Sequence, residues 1–99
     1  MARFDIFQNE GGSGYLLDVQ SDLLSSLNTR IVVPLLPKSA APSPAERLNP
    51  IFKVGGQEVL MATQFMAAVP ENELRVGIGS LAEQQNDISA ALDMLFLGF

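Results

Sequence analysis

The stretch S-L-A-E-Q-Q-N-D-I-S-A-A-L-D-M-L-F-L-G-F, Ser80 to Phe99, decides how the rest of the chain is read. Ser80 and Glu83 form the capping-box pattern S-x-x-E, which satisfies two of the free N–H groups at a helix start, so a helix is expected over about 80–98. Leu81, Ile88, Ala91, Leu92, Leu95 and Phe99 recur at intervals of three, four and seven and are assigned to the buried face. The opposite face is polar at Gln85, Asn86 and Asp87 and then turns apolar at Ala90, Met94 and Leu97. The last turns are therefore apolar on nearly every side, which fits either insertion against other elements, including a homodimer seam, or a tip that docks on a partner.

Upstream of this helix the pattern is that of strands. I-F-K-V, then Gly55-Gly56, then Q-E-V-L-M-A over 51–62 reads as a hairpin with a two-glycine turn. Phe4 and Ile6 alternate with Arg3 and Asp5, a turn cluster N-E-G-G-S-G follows at 9–14, and Tyr15 to Val19 resumes a strand. Those glycines precede neither a helix nor a Lys-Ser/Thr pair, so they do not read as a phosphate loop. Thr29 to Leu35 is rich in β-branched residues and reads as a central strand. Between them, Gln20 to Asn28 is polar around Leu23 and Leu24, a loop or one helical turn in which both leucines cannot point inward.

Pro34, Pro37, Pro42, Pro44 and Pro50 mark a long loop, with one short helical turn expected after Ser43. P-L-L-P at 34–37 has the spacing of a polyproline ligand, but its leucines read as buried. Thr63 to Pro70 is assigned to a short buried turn and Leu74 to Ile78 to a further strand. Strands followed by one helix, without βαβ alternation, imply a mainly β fold: a small antiparallel sheet or open barrel of about five strands capped by the helix.

Composition narrows the function. The 99 residues, 1–99, are read as one domain, short enough to gain stability from dimerisation. With no cysteine and no histidine, thiolate metal sites, disulfides and the usual general base are excluded, and a reducing cytoplasm is the expected location. A net charge of −5 argues against direct DNA or RNA binding by the chain alone. No signal-peptide run and no stretch of about 18 apolar residues indicates export or a membrane span. No cofactor is implied.

Specific residues resemble a family. L-D-V-Q-S-D-L-L at 17–24, R-I-V-V-P-L at 30–35, M-A-A-V-P at 66–70, N-D-I at 86–88 and D-M-L-F-L-G-F at 93–99 are similar to the CcdB toxins of bacterial toxin–antitoxin pairs, in register over essentially the whole chain. The resemblance implies an SH3-like barrel with a C-terminal helix, a homodimer built partly on the helices, and no catalysis. It implies poisoning of DNA gyrase, with the toxin bound to the gyrase A subunit so that the cleaved-DNA complex is trapped. The implied partners are gyrase, a CcdA-like antitoxin whose disordered tail wraps the toxin, and operator DNA only together with that antitoxin.

Transferred position by position, the gyrase-binding residues are Leu23, Leu24, Asp93, Phe96, Leu97, Gly98 and Phe99. The best-known members end in Trp-Gly-Ile, where this chain has Leu97, Gly98 and Phe99, and carry Asn where it has Asp93. Leucine offers no π face to a cation, a loss of about 0.5–2 kcal/mol if the tryptophan stacks on an arginine. The alternatives are a CcdB-like module that binds antitoxin and represses its operon without poisoning gyrase, and a MazF-like ribonuclease. For the latter, Asp18 or Asp22 would serve as base and Arg30 as the cation opposite the phosphate. Asp18 with Asp22 is also a poor divalent-cation pair, lacking a third oxygen ligand nearby in sequence.

Overall fold

Seven antiparallel strands and one helix make up the computed structural model, which describes residues Met1–Phe99. The strands are β1 (Asp5–Gln8), β2 (Tyr15–Asp18), β3 (Thr29–Pro37), β4 (Ile51–Val54), β5 (Gln57–Met61), β6 (Ala67–Pro70) and β7 (Gly77–Ser80), and the helix is α1 (Gln85–Leu97). They form one sheet in the order β4-β5-β3-β2-β1-β7, with β6 joined separately to β3. The sheet curls into a half-barrel, so the mainly β, SH3-like architecture with a C-terminal helix is what the chain adopts.

β3 organises this sheet. Along one edge it pairs with β2, while on the other its first half, Thr29–Val32, pairs with β6 and its last residues, Leu35–Pro37, pair with β5. Pro34 sits where the second edge divides, opposite neither partner strand, so its missing N–H breaks no ladder bond while its carbonyl accepts from Ala62 N–H. A proline is thereby accommodated in a central strand. The β4–β5 hairpin turns through Gly55 and Gly56 at φ of 59° and 80°, the pair of positive values that a turn matching sheet twist demands. Gly14, at φ 80°, lies so close to the Leu35 carbonyl that a Cβ would fall 2.0 Å from its oxygen.

The period-two alternation of the strands separates two apolar layers. Leu17, Val33, Leu35, Val59, Met61, Ile88 and Ala91 are wholly excluded from solvent in the main core, which the helix closes. Phe7, Val32 and Leu74 form a smaller cluster, joined by Leu16 and Val69.

Several expectations change. Strands number seven rather than about five, because Ala67–Pro70, read as a buried turn, is recruited as β6 by pairing with β3. Only Thr63–Phe65 of that stretch is a 3₁₀ turn. The final strand is Gly77–Ser80 instead of 74–78. The capping box does not form: Ser80 pairs with Asp5 and Leu81 N–H bonds Phe4 O, which holds the chain extended past the expected helix start. Ser80 Oγ instead accepts from Ala82 N–H, a 3₁₀ turn spans Ala82–Gln84, and the helix proper starts at Gln85. Finally, Leu95 and Phe99 are exposed, since Ile88, Ala91 and Leu92 are the last residues packed against the core. The long loop begins after Pro37 rather than at Pro34, because β5 pairs with Leu35–Pro37. It contains a 3₁₀ turn at Lys38–Ala40 and a turn closed by Asn49 N–H to Ala45 O, and the Asn49 side chain fastens it to Ala45, Met61 and Gln64.

Candidate functional site

Two segments meet at one end of the half-barrel. The first is a 3₁₀ turn at Asp22–Leu24, opened by Ser21, whose Oγ accepts from Leu23 N–H at 3.2 Å. Residues 21–29 are all exposed, with Leu23 at 94 % and Leu24 at 48 % of their full accessible surface. The second is the end of α1, where Asp93, Phe96, Leu97, Gly98 and Phe99 are all exposed. Gly98 takes φ 81° and its N–H caps the carbonyls of Asp93 and Met94, which releases Phe99 from the helical path.

Between the two segments runs an apolar groove of about 440 Å³. Leu24 and Leu27 form one wall, Leu92 and Phe96 the other, and Val19, Ile31 and Met66 the floor. Leu24 and Phe96 are thus brought together on one site. Leu23 is almost fully open to solvent and does not line the groove. Asp93 and Leu97 lie one position beyond Leu92 and Phe96 on the helix and do not line the groove. Leu27 and Met66 escaped the sequence reading. Leu27 carried a signal, an isolated large apolar residue in S-S-L-N; Met66 carried none, because its position depends on the pairing of β6 with β3.

Beneath this loop lies a buried ion pair. Asp18 and Arg30, 0 % and 1 % exposed, stand on the paired strands β2 and β3. Arg30 Nε donates to Asp18 Oδ2 at 2.8 Å, and Arg30 Nη2 lies 2.7 Å from the same oxygen. Gln20 N–H donates to Asp18 Oδ1 at 3.0 Å. Burial raises the Asp18 pKa above the ordinary carboxylate value, opposed by these hydrogen bonds and by the Arg30 charge. Asp22 is exposed, and its Oδ1 accepts from Arg3 N–H at 2.9 Å. Neither member of the pair is open to a substrate, and Asp18 and Asp22 are engaged in separate hydrogen bonds. No group of three or more acidic side chains converges to hold a metal ion.

A sequence profile described as CcdB protein matches residues 3–98. The chain belongs to the CcdB family. This membership supports a toxin of a toxin–antitoxin pair as its broad class, and an antitoxin as a partner. Similar solved structures include an endoribonuclease from a mycobacterial species in complex with its cognate antitoxin, at 15 % identity and TM-score 0.75, covering 100 % of this chain and 98 % of that one. A second mycobacterial endoribonuclease is 14 % identical with TM-score 0.77, over 100 % and 94 % of the two chains. The Mycobacterium tuberculosis toxin MazF-mt6 is 15 % identical with TM-score 0.75, over 95 % and 96 %. At such identities the likeness establishes a shared fold. No helix of this chain is long and apolar enough to cross a membrane.

Proposed function

We propose that this CcdB-family chain is a toxin that poisons DNA gyrase by docking on its A subunit, acting as a homodimer in the cytoplasm and neutralised by a CcdA-like antitoxin. The observation that carries the reading is the exposure of Leu23, Leu24, Phe96, Leu97 and Phe99, with Leu24 and Phe96 facing one apolar groove. Monomeric proteins seldom leave so many large apolar side chains at one end, and such patches mark interaction sites. These residues stand at positions to which the family resemblance transfers the gyrase contact.

Catalysis is not part of the proposal. A ribonuclease needs its base and cation at the phosphate, and here the Asp18 carboxylate and the Arg30 guanidinium are enclosed between strands and spent on each other. One observation favours a second reading, a module that binds antitoxin and represses its operon without poisoning gyrase: Leu97 supplies no aromatic face at the position of the family tryptophan.

Expression in the native host separates these readings. Growth arrest with intact transcripts, relieved by co-expressed antitoxin and lost on deleting Leu97 to Phe99, is the expected result. Arrest accompanied by cleaved transcripts would replace the proposal with a nuclease. Tight antitoxin binding without arrest would leave the regulatory module.

A further inference from the structure

The loop that carries Leu23 and Leu24 has no buried residue, since every position from Ser21 to Thr29 is exposed, and only Leu24 and Leu27, about half covered, pack along the groove. It is held by hydrogen bonds. Within the loop, Leu24 N–H bonds Ser21 O, Ser25 N–H bonds Asp22 O and Leu27 N–H bonds Leu24 O. From outside, Arg3 N–H reaches Asp22 Oδ1. One tether comes from a buried side chain: Gln20, 6 % exposed, donates from Nε2 to Leu24 O at 3.2 Å.

The other atoms of Gln20 are fixed with equal care. Its Oε1 accepts from Ile31 N–H at 3.1 Å, taking the place of a backbone acceptor beside the Val19 N–H to Ile31 O bond. Its own N–H is held by Asp18 Oδ1, and Asp18 in turn by Arg30. The amide therefore cannot rotate without breaking a bond to β3 and has a single orientation to offer the loop. We infer that Gln20 is a positioning residue for the partner-binding surface, its Nε2–H bond to Leu24 O holding the Leu23–Leu24 turn in its docking conformation. This rests on the proposed function, which makes that turn part of the gyrase contact.

The inference divides Gln20 into two halves that can be separated. Gln20→Glu, measured at a pH where its carboxyl is ionised, keeps an acceptor for Ile31 N–H and the side-chain shape but has no hydrogen to give Leu24 O. Gln20→Met removes both bonds at similar volume, and is carried in parallel in case a carboxylate beside Asp18 prevents folding. A turn that is competent only part of the time binds more weakly by that fraction. Losing one bond to a buried group at about 1.4 kcal/mol corresponds to about a tenfold loss.

The test measures binding to the A subunit of the host gyrase for wild type, Gln20→Glu, Gln20→Met and Leu23→Ala, with amide exchange on each free protein. Expected are about tenfold weaker binding in both Gln20 variants and at least tenfold faster exchange at Leu27 N–H. In Gln20→Glu, Ile31 N–H should keep its protection, a split that a general loosening of the sheet would not produce. Unchanged affinity in the Gln20 variants, with Leu23→Ala weakened, would overturn the inference and leave the proposed function standing. Unchanged loop exchange would overturn it equally. Full binding by Leu23→Ala would remove the proposed function, and this inference with it.

Discussion

Phe96→Ala separates the docking role of the helix end from its role in stability. The ring is 68 % exposed, so about a third of the residue's surface is already covered by the groove. Fully burying a phenylalanine contributes about 1.5–3 kcal/mol, so a covered third contributes about 0.5–1 kcal/mol to folding. The remaining two-thirds, buried only when a partner arrives, corresponds to about 1–2 kcal/mol of binding, or about 5- to 30-fold in affinity. Urea denaturation gives the first quantity, and titration with the host gyrase A subunit gives the second. A stability loss above about 2 kcal/mol would mean that the ring belongs to the core. Unchanged affinity in a protein of near-normal stability would remove Phe96 from the contact surface.

Other substitutions probe the frame behind that surface. Asp18→Ala removes the acceptor of both Arg30 Nε and Gln20 N–H and leaves Arg30 buried without a partner, so it is expected to cost about 3–5 kcal/mol in urea denaturation, whereas an exposed pair would cost under about 1. Because burial raises the Asp18 pKa, the folded state holds that proton more tightly than the unfolded chain. The Asp18 contribution is therefore most favourable below the unfolded value of 3.8 and diminishes as pH rises through the folded value. The stability difference between wild type and Asp18→Ala, followed upward from about pH 3, should shrink over that window and then level off. Gly98→Ala meets open space but forces alanine to φ 81°, so it is expected to cost about 1 kcal/mol and to displace Phe99. A thermal melt and gyrase A titration read both effects.

What was legible in the sequence follows from which forces are local. The Gly55-Gly56 hairpin, the β-branched β3 and the apolar face of Ile88, Ala91 and Leu92 are written in turn chemistry and periodicity, and all three form. The strand β6 was not legible, because A-A-V-P has weak strand preference and is extended only through its ladder to β3. The capping box failed for a related reason: pairing of Ser80 with Asp5 outweighs a local cap. In the site, the exposure of Leu23 and Leu24 follows from their adjacency in a polar loop. The groove does not, since Leu27, Met66 and Leu92 come together only in three dimensions. Asp18 and Arg30, which the sequence offers as a base and a cation for a phosphate, prove to be a buried pair on the adjacent strands β2 and β3.

The central claim is tested most directly by a cleavage assay. Supercoiled plasmid is incubated with ATP, the purified chain and gyrase from the native host, and detergent and protease are then added. The account predicts linear DNA that depends on gyrase and disappears when Leu97 to Phe99 are removed from an otherwise folded protein. Absence of linear DNA with the intact, folded chain would contradict it.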